Sequence, residues 1–461
     1  MKKLDSSLFK AYDIRGVAGD NLTTEVVEQV GLVLGTLAFE QGVPALCVGR
    51  DGRLSSPELA EALIRGIAGA GTDVYDIGME PTPVLYFATH YFKTGSGVAV
   101  TGSHNPSRDN GLKMMMGGRT LFGAMIQDIR RRVEQEDWRR GCGKGRVERK
   151  DAETPYFEKI VGDISLCRPM KVMLDTGNGV TGPLAMRLYR KIGCSVTGLF
   201  TEIDGHFPHH HPDPSKPANL QDLIAGLRNS DAEVGLAFDG DGDRLGVVTK
   251  DGEIIYPDRQ MMLFSEDILK KHPGSQIIYD VKCTRRLVDW IREHGGRPVI
   301  SRTGHSFVKA RLHETNAPLA GEMSGHLFFN DGRWPGFDDG LYAGARLLEI
   351  LSRSSHPSAV LHALPTAQNT PELQIPMAEG ENKKFVQRIQ EELHFPDAVD
   401  EIRIDGLRVE WKDGFALARA SNTTPVVVVR LEGDTVQALD RIKKVFGEAL
   451  RRISPDIKLP F

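Results

Sequence analysis

Residues 234–248 read Val234-Gly235-Leu236-Ala237-Phe238-Asp239-Gly240-Asp241-Gly242-Asp243-Arg244-Leu245-Gly246-Val247-Val248. One apolar run enters a tight turn that holds three carboxylates at alternate positions, and a second apolar run leaves it. Gly240 and Gly242 let the backbone curl until three oxygens face one spot, a donor set suited to a hard cation such as Mg2+. An EF-hand is excluded, because its loop needs Gly at the sixth position and Glu at the twelfth, where this chain has Arg244 and Lys250. An acidic hairpin tip without a ligand is the competing reading of the motif taken alone.

Around this turn, helical signals and short β-rich runs alternate. Ser55-Ser56-Pro57-Glu58 predicts a capped helix start with a first-turn proline, followed by Leu59, Leu63 and Ile67 on one face. Such alternation indicates layered α/β domains. Leu46–Asp51, Val172–Gly177 and Ile277–Lys282 each run from apolar residues into a polar turn. Each has a downstream partner: Val98–Thr101 before Gly102-Ser103-His104, Leu236–Phe238 before the Asp turn, and Pro318–Ala320 before Gly321-Glu322-Met323-Ser324. Three similar units are expected, each with a polar loop at the carboxyl end of a strand, where open α/β sheets bind ligands. Beyond residue 365, Pro365, Pro371 and Pro376, a charged helix near 382–393 and a strand over 426–431 predict a smaller, different domain.

Composition narrows the class. A chain of 461 residues with 40% hydrophobic and 26% charged residues is globular and too long for one core. A formal net charge of -4 and no long basic run leave no electrostatic footprint for nucleic acid or an anionic membrane. The first residues develop no signal-peptide core and no stretch reaches the roughly 20 apolar residues of a membrane span, so a cytoplasmic location is expected. Cys47, Cys142, Cys167, Cys194 and Cys283 form no C-x-x-C pair, which argues against a disulfide framework or structural zinc.

Thr101-Gly102-Ser103-His104-Asn105-Pro106 places a hydroxyl just after a buried strand, in a turn stiffened by Asn-Pro. It is not the G-x-S-x-G of a hydrolase, and His104 is too close in sequence to turn back easily as a triad base. A serine that takes a phosphoryl group instead needs a cation beside it, and the Asp turn could hold one. Without that partner, Ser103 reads as a structural serine. Gly321-Glu322-Met323-Ser324-Gly325-His326 would project Glu322, Ser324 and His326 to one side if extended, a set that suits sugar hydroxyls. Arg419-Ala420-Ser421-Asn422-Thr423-Thr424-Pro425 suits the oxygens of a phosphate monoester, with a solvated turn as its bland alternative. Two motifs compete. Gly177-Asn178-Gly179-Val180-Thr181-Gly182 with Glu202 fits a dinucleotide fingerprint, but a dehydrogenase would leave the Asp and Arg419 loops idle. His206, His209, His210 and His211 lie in a Pro-rich segment without zinc spacing, which favours a surface loop.

Taken in order, TGSHNP, DGDGDR, GEMSGH and RASNTTP, with the early Lys10-Ala11-Tyr12-Asp13-Ile14-Arg15-Gly16, resemble the α-D-phosphohexomutase superfamily along the whole chain. GEMSGH is similar to its bacterial phosphomannomutase/phosphoglucomutase branch. The resemblance implies an α/β fold of four domains around a central cleft: three similar mixed α/β sandwich domains and a smaller C-terminal α+β domain. Bounds of 1–148, 149–253, 254–365 and 366–461 are expected. It implies a phosphoserine at Ser103, Mg2+ on Asp239, Asp241, Asp243 and an oxygen of that phosphoserine, and sugar hydroxyls on Glu322 and Ser324. The phosphate that does not react would sit on Arg419, Ser421, Asn422, Thr423 and Thr424. Tyr12, Arg15, Lys113, Arg244, Lys282, His305 and His326 match the other substrate positions. Arg15, Lys113 and His326 are candidates for proton or charge management, and only the histidine has an ordinary pKa near neutrality. Related sequences often have Asn where His209 stands, which mildly reopens an adventitious metal site there.

The activity so implied is reversible transfer between the 1- and 6-positions of mannose and glucose phosphates, through a hexose 1,6-bisphosphate that turns over before the second transfer. Glucose 1,6-bisphosphate would serve as activator, hexose 1- and 6-phosphates as the ligands, and a monomer is expected. A phosphoglucosamine mutase and a non-enzymatic sugar-phosphate sensor are the alternatives, though a sensor has no need of both Ser103 and the intact Asp turn. Segment 364–370 is the expected hinge. Ser103→Ala should abolish turnover, followed by phosphorus NMR, while calorimetry still detects sugar-phosphate binding; full activity would sink the assignment.

Overall fold

The computed structural model describes residues 4–140, 143–422 and 424–461. The chain forms two compact units, one taking residues up to Pro257 together with Ser324–Ala363, the other Asp258–Met323 and Leu364–Phe461. The stretch 254–365, expected as the third domain, contributes to both.

In the first unit, Ala45–Arg50 is flanked in parallel by Asp73–Met79 and Gly97–Val100. Gly97–Val100 pairs antiparallel with Asp109–Met116, which pairs antiparallel with Ile14–Val17. The continuous apolar character of the central strands follows from burial of both faces, with Leu46, Val48, Val98 and Val100 in one core. The expected helix is Ser56–Gly69. Ser55 does not cap it with its side chain; its Oγ accepts from Asn110 Nδ2 at 2.9 Å instead. That bond ties the helix start to the strand beyond Ser103.

A second sheet repeats the plan. Met170–Asp175 lies between Cys194–Leu199 and Val234–Phe238, parallel to both, and Val234–Phe238 pairs antiparallel with Leu245–Thr249. Phe238 and Leu245 are register partners, so the Asp turn closes a hairpin between fully buried strands. In the second unit, Gln276–Asp280 lies parallel between Arg297–Ser301 and Leu319–Gly321. The remaining sheet of that unit is antiparallel: Asp400–Ile402, Leu407–Trp411, Gly414–Ala420 and Val426–Gly433 pair in sequence. Helices Glu381–Glu392 and Val436–Ile453 bury Phe385, Ile389, Ile442 and Phe446 against it. Three parallel triplets and one antiparallel sheet are the expected three-plus-one pattern. Among the described residues no helix is long and apolar enough to cross a membrane. Cys47, Cys167, Cys194 and Cys283 are free thiols; Cys142 lies outside the described residues.

An aspartate marks the carboxyl end of each central strand. Asp51 accepts from Thr101 Oγ1 at 2.8 Å, from the Gly102 amide at 3.1 Å and from Arg53 Nε at 3.1 Å. Asp175 accepts from the Gly177 amide at 3.0 Å and meets His210 Nε2 at 3.1 Å. Asp280 accepts from Thr303 Oγ1 at 2.9 Å and from the Met323 amide at 3.2 Å. Buried carboxylates satisfied in this way hold the following loops in one arrangement. Asp51→Ala, which leaves the Arg53 guanidinium buried without its ion-pair partner, should destabilise the protein by about 3–5 kcal/mol in urea unfolding. A loss below about 1 kcal/mol, the range of surface pairs, would remove Asp51 as the anchor.

Candidate active site

Ser103 is buried and adopts φ 50°, a left-handed conformation uncommon outside glycine. Its amide donates to Thr101 Oγ1 at 2.8 Å and its Oγ donates to Asp239 Oδ2 at 2.9 Å. Arg53 receives the loop from beneath, donating to the carbonyls of Ser103 at 2.8 Å and Asn105 at 2.7 Å. The turn beyond leaves His104 Nδ1 3.2 Å from Ser103 Oγ. The imidazole thus touches the serine, while Ser103 Oγ donates to Asp239. Burial, then Arg244, Arg15 and Lys113, push the His104 imidazole well below its ordinary pKa.

Asp239, Asp241 and Asp243 are fully buried, with ligand oxygens within 4.8 Å of one another. Asp239 Oδ1 accepts from the amides of Gly242 and Arg244, each at 3.1 Å. Lys113 Nζ donates to Asp241 Oδ2 at 2.6 Å and to Asp243 Oδ2. Thr82 Oγ1 also donates to Asp241 Oδ2, at 2.6 Å. Burial and then the Asp243 and Asp241 charges push Asp239 well above the carboxylate range. Burial also opposes the charge of Asp241, but Lys113 overrides it and holds that carboxyl below its ordinary value. Lys113 is the converse: burial disfavours its charge, and Asp241, Asp243 and Asp239 restore it and raise its pKa. Arg15, likewise held charged against burial by Asp13, donates to Asn105 Oδ1 at 3.1 Å, with Tyr12 half-buried nearby. Asp241 Oδ1 and Asp243 Oδ1 are buried and accept no hydrogen bond. Two orphaned hard oxygens beside Asp239 fit a small divalent cation.

His326 lies across from this turn, joined to Arg244 by an isolated β-bridge. Arg244 Nε donates to His326 Nε2 at 3.0 Å, while Nδ1 lies 2.9 Å from Asp338 Oδ2 and 3.6 Å from Asp243 Oδ1. The segment before it is not extended: residues 323–324 turn and Gly325 has φ +102°. The extended backbone on which alternate side chains would share a side is therefore not present over residues 323–325.

In the second unit, Glu322 Oε1 accepts from the Gly304 amide at 2.5 Å, just before buried His305 opens helix His305–Thr315. Lys282 Nζ donates to Glu372 Oε2 at 2.9 Å. Lys282, ahead of burial, holds the Glu372 carboxyl below its ordinary range, and Arg419 adds to this. Arg419 Nε donates to Asp405 Oδ2 at 2.9 Å, and the same oxygen accepts from the Thr303 amide at 2.9 Å. Asn422 Nδ2 reaches the Thr303 carbonyl at 3.4 Å and Thr424 Oγ1 donates to Ser421 Oγ at 2.9 Å. The unit thus gathers Lys282, Arg419, Asn422, Glu322 and His305 around the loops that follow its strands. Thr423 lies outside the described residues.

Models of four domains match in order: the phosphoglucomutase/phosphomannomutase α/β/α domain I over residues 6–140, domain II over 154–252, domain III over 256–367 and the C-terminal domain over 372–449. The chain belongs to this family. A phosphoglucomutase of Neisseria meningitidis is 53% identical over 461 residues, all of both chains. A phosphomannomutase/phosphoglucomutase of Pseudomonas aeruginosa is 50% identical, covering 99% of this chain and 98% of its own. A crystal structure of a phosphoglucomutase/phosphomannomutase family protein from Burkholderia thailandensis superposes with TM-score 0.94 at 54% identity, covering 99% of this chain and all of that one.

The two competing motifs have structural explanations. At Gly179 an added Cβ would lie 2.9 Å from the Gly240 carbonyl, and the Val180 amide donates to that carbonyl at 3.2 Å. Gly179 thus lets this loop press on the Asp turn. His210 pairs with Asp175, His206 with Asp204, and His209 bonds Asn178 Oδ1 at 2.8 Å while stacking on Phe200. Among the described residues, none of these histidines joins a gathered metal-ligand group. Sequence reasoning missed Thr82, Asp338, Asp13 and Arg53. Only Arg53 carried a signal, its place two residues after a strand-end aspartate. Lys113→Met in EDTA should lose about 3–5 kcal/mol of stability, since three buried carboxylates lose their cation. MgCl2 should then raise its Tm by more than it raises that of the wild type, and equal shifts would place the cation elsewhere.

Proposed function

We propose that the chain is a phosphomannomutase/phosphoglucomutase that carries its phosphoryl group on Ser103. The observation that carries this reading is the 2.9 Å bond from Ser103 Oγ to Asp239, inside a buried carboxylate triad with two unused oxygens. A serine that merely shaped an Asn-Pro turn would need no such partner. The names of the Neisseria and Pseudomonas relatives support glucose and mannose phosphates as substrates.

In this reading, phospho-Ser103 gives its group to the free hydroxyl of a hexose 1- or 6-phosphate: the bond from phosphorus to Ser103 Oγ breaks and one to the sugar oxygen forms. The resulting 1,6-bisphosphate, of which glucose 1,6-bisphosphate is the activating form, turns over, and its other phosphate returns to Ser103. Asp239, Asp241, Asp243 and a phosphoserine oxygen would hold Mg2+, which when bound neutralises charge on the transferring group. Lys113 and Arg15 are held protonated and serve charge rather than proton transfer. His326 is the remaining candidate for proton transfer, with its Nε2 accepting from Arg244 Nε–H at 3.0 Å in this structure. Arg244 and Tyr12 contribute to substrate binding. Glu322, Ser324, Lys282 and His305 bind the sugar and its neighbouring oxygens. Arg419, Ser421, Asn422, Thr423 and Thr424 hold the phosphate at rest.

Phosphorus NMR of glucose 1-phosphate and mannose 1-phosphate with the protein, Mg2+ and trace glucose 1,6-bisphosphate should show both 6-phosphates, and EDTA should stop both conversions. Release of inorganic phosphate would identify a phosphatase instead, and no change in either sugar would favour a sensor or another sugar phosphate.

A further inference from the structure

In the second unit, the antiparallel sheet reaches the loops of the parallel one through a carboxylate. Strands Asp400–Ile402 and Leu407–Trp411 are joined by a bend over residues 403–406 that carries Asp405. Asp405 Oδ2 accepts from Arg419 Nε at 2.9 Å and from the Thr303 amide at 2.9 Å. A single oxygen thus joins a guanidinium on strand Gly414–Ala420 to the loop beyond strand Arg297–Ser301. The bend is built for this approach. Gly406 has φ +77°, and a Cβ there would lie 2.2 Å from the Ala418 carbonyl and 2.7 Å from Arg419 Cα, closer than a side chain tolerates. Gln390 Nε2, on helix Glu381–Glu392, donates to the carbonyls of Arg403 at 2.8 Å and Gly406 at 2.9 Å, which holds both ends of the bend.

The Thr303 loop is fixed from its other side as well. Thr303 Oγ1 donates to Asp280 Oδ2 at 2.9 Å, and the Thr303 carbonyl accepts from Asn422 Nδ2 at 3.4 Å. The next amide, that of Gly304, donates to Glu322 Oε1 at 2.5 Å. Successive amides of one short segment therefore serve Asp405 and Glu322. The side chains of Arg419 and Asp405 are only 4% and 11% exposed, so salt screens the pair little and loss of either partner strands the other charge away from water.

We propose that Asp405 is a positioning residue for the phosphate seat: it fixes the plane of the Arg419 guanidinium through Nε and, by sharing that oxygen with Thr303, sets this fork at a constant distance from the Glu322 carboxylate. A guanidinium is rigid and planar, so one anchored nitrogen determines the plane in which the other N–H groups lie. A ligand with a phosphate at one end and hydroxyls at the other meets two contacts at a set spacing, which lowers the ordering cost of binding. The proposal rests on the mutase reading for the identity of that ligand.

The test compares the full chain with Asp405→Ala and Asp405→Asn in the conversion of glucose 1-phosphate and mannose 1-phosphate. Asp405→Ala, which removes a charged hydrogen-bond partner, should raise KM by about 10- to 100-fold. Asp405→Asn, which keeps an accepting oxygen, should raise it by about 3- to 10-fold. KM should move more than kcat, and by the same factor for both sugars, because Arg419 meets the phosphate they share and not the carbon at which they differ. A merely structural role would lower the fraction of active protein, and with it kcat, and leave KM in place. In an Arg419→Ala background either Asp405 substitution should cost far less kcat/KM than in the wild type, as expected of two residues acting as one. Wild-type KM in either variant, or an undiminished cost in the Arg419→Ala background, would overturn the proposal. If Asp405→Ala fails to fold, Asp405→Asn decides in the same way. Calorimetry with glucose 6-phosphate reads the same seat without turnover. A wild-type chain that binds it yet converts neither sugar phosphate would sink the mutase reading, while the affinity lost in the variants still judges Asp405.

Discussion

Three carboxylates in five residues, all without solvent access, impose a demand that organises the first unit. Removing each charge from water costs several kcal/mol even after relaxation, and the three repel one another besides. The fold answers with Lys113, with the amides of Gly242 and Arg244, and with the hydroxyls of Ser103 and Thr82. Even so, burial and repulsion hold Asp239 well above the carboxylate range. Packing alone would never select such an arrangement, since an apolar hairpin would fill the same space more cheaply. Its remaining oxygens form a candidate cation site.

Close approach follows from that demand. Gly179, Gly240 and Gly340 stand where a Cβ would crowd neighbouring backbone, so three separate segments lie directly against the Asp turn or against each other beside it. The strand-end aspartates do comparable work elsewhere. Asp51 fixes the loop that presents Ser103, and Asp280 ties Thr303 and Met323 within the second unit. From Thr303 the network continues through Asp405 to Arg419. Each polar loop is thus held at its base by a buried carboxylate while its tip keeps side chains for chemistry.

The strand pattern was legible because burial on both faces writes itself as continuous apolar runs ending at Asp51, Asp175 and Asp280. The fingerprint at residues 177–182 was ambiguous for a physical reason: glycines that admit a pyrophosphate and glycines that admit a neighbouring backbone look alike in sequence. The one-face reading of Glu322, Ser324 and His326 was conditional on extended chain, and residues 323–324 form a turn instead.

Local chemistry was legible without the fold: glycines between alternate aspartates let the backbone bring their oxygens close, and Ser103 follows the apolar run 98–100. Pairing across long separations came from the fold. Lys113, 128 residues from Asp241, sits in Leu112-Lys113-Met114-Met115-Met116 and reads there as one polar break in an apolar strand. Thr82 and Asp338 carry no local signal either. Their partners are chosen by how sheets and helices stack, and that stacking depends on cores built from residues far apart in the chain.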